Sequence, residues 1–444
     1  MNIGSLSKFQ LIFFSISIVV VIAAVGIFAL NKASNGGAVS EIVIWGTLPE
    51  TTFNNFVQQN AVSTALETKK VSVKYFEKPA ETFDADVVEA ISSGAGPDAV
   101  IITQDATLQY LNKIVQIPFS SFSERNFRDL YIQEAELFLT KTGITAMPFT
   151  VDPMVMYWNR TMFSNAGIAN PPTLWSQFYA DDGVISKINK IDKNHNIIKT
   201  ALAFGAYNNV SHAKDILALL MLQAGSPIVQ RGDNNTLRVA LSSSNSSEVK
   251  NGAQAALNFY TQFADPTKSI YSWNSSLSLS RNAFTSGDLA LYFGYASEVN
   301  NLATRNPNLN FDLALVPQSQ SSNENITFGN MYGISILKSS KNANAAFDAG
   351  TVLSSAEAQS VWSKRSGLPP IVRSLLVQKP EGIFDPVFYE AALQSRGWLD
   401  PNRTETETIF GDMISSVISG RMLPEEAIQG SESKFSKLLS GFSN

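Results

Sequence analysis

His195 and His212 are the only imidazoles in a chain that contains no cysteine, and this removes most metal and thiol chemistry at the outset. A zinc site needs ligands at short fixed spacings, such as two histidines four apart on one helix face. Neither histidine has a second histidine or a helical carboxylate pair at such a spacing. The absence of cysteine also excludes disulfides, a thiolate nucleophile and lipid attachment through an N-terminal cysteine. Lys141-Thr142-Gly143 and Ser211-His212-Ala213-Lys214 match the K-T-G and S-x-x-K elements of penicillin-binding enzymes, but no S-D-N accompanies them and their order is wrong. There is no G-x-S-x-G and no Walker A sequence, so no cofactor is expected. Asp192-Lys193-Asn194-His195-Asn196-Ile197 begins like a calcium loop, yet Ile197 takes the place that needs glycine and Ala203 the place that needs glutamate. It reads as a hairpin turn. One catalytic arrangement survives: a glycosidase needs two carboxylates about 5 to 10 Å apart, which Asp105 and Asp152 would supply across a cleft, one of them with a raised pKa. That is the lesser reading, and no enzyme is expected.

At 444 residues the chain exceeds one hydrophobic core of ordinary size, so two domains are the default. Charged residues make up 16% and the net charge is -5, which offers no electrostatic footprint for nucleic acid.

Phe9 to Leu30 contains no charged residue, and its 22 residues at about 1.5 Å each would cross a hydrocarbon core of roughly 30 Å. Lys8 precedes it, and Asn31 to Gly37 reads as a flexible stalk. The expectation is a cytoplasmic stretch over 1–8, a transmembrane anchor over 9–30, a linker over 31–40 and a body on the extracytoplasmic side of the cell membrane. The alternative is a cleaved signal peptide ending near Ala24-Val25-Gly26, which would leave Ile27-Phe28-Ala29-Leu30 in water.

The elements that follow alternate. Glu41 to Gly46 is β-rich; Phe53, Phe56 and Val57 begin a helical spacing that runs to about Glu67; Val71 to Phe76 reads as a strand. Phe83, Val87 and Ile91 give Thr82 to Ser93 one apolar face, and Gly94-Ala95-Gly96-Pro97 releases the chain into Ala99 to Ile102. This is a βαβαβ unit, in which ligands sit at the carboxyl ends of the strands, near Trp45-Gly46-Thr47 and Thr103-Gln104-Asp105. Longer helices follow, clearest over Ala213 to Gln223 and Ser247 to Phe263. Strand-like Leu313 to Pro317 and Met331 to Leu337 come next, then helices from Asn344, Glu357, Val387 and Glu405 and after Pro424.

Several segments, in order, resemble extracellular solute-binding proteins of the sugar-binding, maltose-binding-protein-like family. Ser93 to Val100 is similar to its G-x-G-P-D-hydrophobic element, and Ala146 to Phe178, with Tyr157-Trp158-Asn159-Arg160 and Pro171-Pro172, to the segment that first crosses between lobes. Ala283 to Leu291 is similar to F-x-x-G-x-x-A-M with Leu291 in place of methionine, Gly333 to Asn342 to a later crossing, and Ser366-Gly367-Leu368-Pro369-Pro370 to S-G-x-x-P. The resemblance implies an α/β, two-lobed periplasmic-binding-protein-like fold of type II, with hinged lobes over 41–150 with 317–365 and over 151–316 with 366–444. It implies a monomer that binds a small-molecule solute, a sugar or oligosaccharide, in the cleft and hands it to the permease subunits of an ABC importer. A membrane-anchored sensor for a signalling partner is the alternative.

It also implies a site. Asp152 matches a carboxylate at the crossing, against the alternative of a turn residue before Pro153, and Asp105 matches a second carboxylate at a strand end, against an N-cap. Trp45 and Thr47 follow the first strand where the family places cleft groups, Tyr295 takes a rim position, and Trp398 is similar to a stacking aromatic, its loop setting arguing against core packing. Asn208 and Asn209 would offer amides or cap the helix after them. Trp158 and Trp175 read as core.

Overall fold

The computed structural model describes residues 39–194, 196–232, 236–242, 251–320 and 324–442. The expected anchor over 9–30 and His195 lie outside the described residues. Among the described residues no helix is long and apolar enough to cross a membrane.

Three parallel strands open the fold, Ser40–Gly46 flanked by Val71–Glu77 on one side and Ala99–Thr103 on the other. Buried residues alternate along the first strand, with Ile42 and Ile44 fully buried, because successive side chains point to opposite faces and one face carries the core. The helix Phe83–Ser93 ends on Gly94, whose φ of 72° is the left-handed turn that glycine makes without strain. The expected single helix from Phe53 is instead two, Glu50–Val57 and Asn60–Thr68, because the backbone turns extended at Gln59. The helix expected from Ser247 is described from Gly252 to Thr261, followed by a 3-10 turn over Gln262–Ala264.

Two long strands carry this sheet into a second lobe. The first, Met147–Asn159, pairs through its N-terminal half with Thr327–Ile336, and through its C-terminal half with Leu289–Tyr295 and Phe311–Ala314. Thr327–Ile336 in turn pairs back to Ala99–Thr103 and, at its start, to Ser395–Arg396. One ten-stranded sheet therefore runs through both lobes. Two large cores sit along it: one gathers Phe53, Phe56, Phe149 and Trp362, the other Phe204, Phe263, Phe293 and Phe410. Ile371, Val372 and Leu376 belong to the first core, held there by a bridge from Tyr131 to Val372. That core therefore takes in sequence beyond residue 365, where a boundary was expected.

Where the crossing strands meet the first lobe, Gln104 Nε2 donates to the Gly329 carbonyl at 3.2 Å, and Gln104 Oε1 accepts from the Met331 N–H at 2.7 Å. Beside it lies Glu134, 2% exposed, with neither carboxylate oxygen hydrogen-bonded. A Cβ on Gly329 would come within 2.2 Å of that carboxylate and one on Gly397 within 2.8 Å, so glycine at both positions makes room for it. Burial, only partly offset by Arg396 and Ser395, pushes the Glu134 carboxyl up to about 8.

The sign of the consequence is fixed. An acid whose folded-state pKa is raised holds its proton longer in the folded than in the unfolded protein, so stability falls as pH rises from the unfolded value near 4.5 towards 8. Glu134→Gln removes that dependence. Its melting temperature relative to the parent is expected to be higher at pH 8 than at pH 5, and a constant difference across that range would contradict this account.

Candidate functional site

The carboxyl ends of the first lobe's strands face the second lobe across a gap. A cavity of about 160 Å³ there is lined by Thr47, Asp84, Thr103 and Gln109 of the first lobe, Tyr332 of the second crossing strand and Arg403 of the second lobe. Arg403 occupies the first position of the helix Arg403–Ile418, which Asn402 caps by accepting from the Glu405 N–H. This fixes the guanidinium at the helix's N-terminal end, opposite Asp105.

The two side chains meet in a forked pair. Arg403 Nε donates to Asp105 Oδ2 and Nη2 to Oδ1, both at 2.7 Å, while Nη2 also reaches Thr103 Oγ1 at 2.9 Å. The Thr103 hydroxyl donates to Asp105 as well. Burial pushes the Asp105 carboxyl up, but the Arg403 guanidinium and its hydrogen bonds outweigh burial and hold it below the usual carboxylate range.

Asp152 lies on the first crossing strand opposite Asn330 and is 6% exposed. Its Oδ1 accepts from the Ser297 N–H at 3.0 Å. Burial raises its carboxyl to about 6, opposed by Ser297. Tyr295 ends the strand that pairs with this crossing, and its hydroxyl donates to Asp215 Oδ2 at 2.7 Å. Tyr295 senses the charges of Asp215, Asp152 and Asp105, and Tyr332 those of Asp152, Asp105 and Arg403, so these groups share one electrostatic environment.

Behind them the cations are spoken for. His212 Nε2 sits 2.8 Å from Glu298 Oε1, and Arg281 Nη1 3.6 Å from Glu298 Oε2. Burial lowers the affinity of His212 for its proton, yet the Glu298 carboxylate raises it further and leaves the net shift upward. Lys214 Nζ donates to Asp400 Oδ2 at 2.7 Å and to Thr406 Oγ1 at 2.8 Å, a pair buried inside the second lobe. Asp215 keeps a carboxyl raised by burial, only partly countered by His212 and Lys214.

Of the expected site residues, Thr47 lines the cavity, Asp105 sits beside it, and Asp152 and Tyr295 share its electrostatic field. Tyr295 is not at a rim, however; it is 5% exposed because its ring packs edge-to-face on His212 and its hydroxyl is committed to Asp215. Trp398 is no stacking platform. It is 3% exposed among Phe410 and Phe435 with the Lys214 ammonium 5.6 Å from its ring centre, since the loop carrying it folds into the second core. Asn209 neither faces the gap nor caps a helix: its Nδ2 donates to the Asn274 and Leu277 carbonyls and its Oδ1 accepts from Trp273 Nε1. Trp45 is half-buried, its ring covered by Lys78 Nζ at 4.0 Å. Tyr332, Arg403 and Asp215 were missed. His212 and Asp215, three apart at a helix start, were the one local sign, and Arg403 lies 298 residues from Asp105.

The profile of the bacterial extracellular solute-binding protein family matches residues 60–383, well over half of the chain. The chain belongs to this family. A protein of Brucella abortus (strain 2308), described as a binding protein, is 20% identical over 367 residues, covering 79% of this solute-binding protein and 81% of that one. Solved structures share the fold. An ABC transporter solute-binding protein from Thermotoga lettingae TMO, bound with α-D-tagatose, superimposes with a TM-score of 0.64 at 19% identity, covering 90% of this chain and 100% of that one. The GacH receptor of Streptomyces glaucescens GLA.O, solved unliganded and with acarbose, gives 0.66 at 17% identity over 90% and 98%. The cyclic α-maltosyl-1,6-maltose binding protein of Arthrobacter globiformis gives 0.69 at 16% identity over 90% and 99%.

The Arg403 to Asp105 pair is half open to solvent on the arginine side, so its net worth is modest. Asp105→Asn, Arg403→Gln and the double variant, compared by denaturant unfolding, are expected to show a coupling of about 1 kcal/mol. Strict additivity would mean that the contact contributes nothing to the lobe interface.

Proposed function

We propose that this protein binds a hydroxyl-rich solute, a sugar or oligosaccharide, between its lobes, and passes it to the permease of an ABC importer. The observation that carries the reading is the convergence of polar groups from both lobes and from the crossing strands on one gap: Asp105 and Thr47, then Arg403, then Asp152 and Tyr332. Hydroxyls need paired donors and acceptors, and carboxylates beside a guanidinium supply both. The ligands named for the structural relatives, tagatose and acarbose among them, point the same way.

Binding follows from closure. A solute that touches both lobes favours the state in which they are together, and the Asp105 to Arg403 contact supplies part of that state's stability before the solute arrives. The glycosidase reading gains nothing from the expected pair of Asp105 and Asp152, because both oxygens of Asp105 are engaged by Arg403. The protein acts as a monomer, held at the outer face of the cell membrane by residues 9–30.

Two measurements test this. In a thermal-shift screen of mono- and oligosaccharides, polyols and amino acids, a sugar is expected to stabilise the protein by about 2.7 kcal/mol at a hundred times its dissociation constant. Stabilisation by amino acids alone would overturn the sugar reading. Protein purified from its native host membrane is expected to retain residues 9–30, and a mature chain beginning near residue 27 would remove the anchor.

A further inference from the structure

We propose that the solute is a single uncharged sugar ring, held in the cavity by Thr47, Gln109 and Tyr332, and that the pair of Arg403 and Asp105 is the wall that keeps a second ring out. The inference rests on the sugar-binding reading and narrows it to monosaccharides.

Its basis is a set of polar groups on the cavity that the protein itself leaves unused. Thr47 directly follows the strand Ser40–Gly46, Gln109 lies on the short helix Thr107–Tyr110, and Tyr332 stands opposite Thr103 on the second crossing strand. All three are half-buried and line the cavity. Neither hydroxyl, nor the amide, is hydrogen-bonded to any described residue, and none of them is sealed off. Polar groups at such depth are mostly partnered within the protein, so three free ones on a single cavity point to a ligand that partners them. Each of them both donates and accepts, as a sugar hydroxyl does. Phe83, Ile101 and Ile102 also line the cavity and give the C–H face of a ring apolar surface to lie on.

Charge is balanced before any ligand arrives. Among the described residues Arg403 is the one cation lining the cavity, and its Nε and Nη2 are forked onto Asp105. The Asp84 carboxylate accepts from the Tyr110 hydroxyl at 2.7 Å and is exposed to water, where a pairing with an amine is worth little. A solute bearing an acid or an amine finds no unanswered buried charge on this cavity, and a neutral one loses nothing.

Size and closure set the upper limit. At about 160 Å³ the cavity is well under the roughly 300 Å³ at which pockets for drug-sized molecules begin. Its lining comes from the first lobe except for Tyr332 and Arg403, so a sugar chain extended towards the second lobe meets the guanidinium first. To admit a second ring on that side, Arg403 must give up both Asp105 and Thr103.

The test is calorimetry on the full chain. The probes are glucose, galactose, mannose and fructose as neutral single rings, maltose, cellobiose, lactose, mannobiose and sucrose as their disaccharides, and glucuronate, galacturonate and glucosamine as charged rings. A neutral monosaccharide is expected to bind about tenfold more tightly than any disaccharide that contains it, because the disaccharide must break the ion pair. Tyr332→Phe and Thr47→Val, each of which removes one hydroxyl, are expected to weaken that monosaccharide about fivefold. Unchanged affinity in both would take the ring out of this cavity and overturn the inference. Arg403→Ala should narrow the preference for one ring over two, with Asp105→Asn as a second variant should circular dichroism show the first unfolded; an unchanged preference would overturn the role of the pair. Disaccharides or charged rings that bind as tightly as the neutral monosaccharides would overturn the inference and leave the sugar reading standing. Binding of no sugar would overturn both.

Discussion

The backbone ladder between Met147–Asn159 and Thr327–Ile336 is the constraint on which the rest of the structure depends. Each strand spends one end in each lobe, so the hydrogen bonds that complete the first sheet are continuous with those that begin the second. Asp152 lies on this ladder and Tyr332 two residues beyond its partner, which places a carboxylate and a phenol at the junction without any loop having to hold them. A ligand site built on strands keeps its geometry better than one built on loops. The lobes on either side are free to contribute side chains from their own strand ends and helix starts, and Thr47, Asp105 and Arg403 are such contributions.

Electrostatics then sorts the acids of the gap into two kinds. Asp105, Glu298 and Asp400 each have a cation in contact, and the first two have carboxyls held low despite burial. Asp152 and Asp215 have donors but no cation, and theirs are raised. Glu134, further back at the junction, is raised by burial that Arg396 and Ser395 only partly offset, and it is closed off from solvent. Loss of water acts on all of them; a cation in contact outweighs it at Asp105 and Glu298, whereas at Asp400, enclosed with Lys214, burial still leaves the carboxyl raised.

Much of the fold was legible in the chain. The apolar spacing of Ala213 to Gln223 and of Thr82 to Ser93 gave helices that the structure reproduces within a residue, and the strand at Ala99 was announced by the glycines and proline before it. Expectations failed where a local signal had two physical readings. Gly397 before Trp398 suggested an exposed ring, but that glycine is there to admit the Glu134 carboxylate, and the tryptophan turns into the core. Asn209 has the residue type of a ligand amide or a cap, and its three hydrogen bonds instead tie down the segment from Trp273 to Leu277.

Taken alone, the sequence determined the α/β alternation, the absence of thiol chemistry, and the resemblance to a two-lobed binding family, because these depend on residue types, periodicity and the order of short motifs along the chain. Which carboxylates stay unpaired was decided only by tertiary structure. Arg403 neutralises Asp105 across 298 residues of chain and Lys214 neutralises Asp400 across 186, and no pattern of local spacing encodes a contact between side chains that folding brings together from opposite ends of the protein.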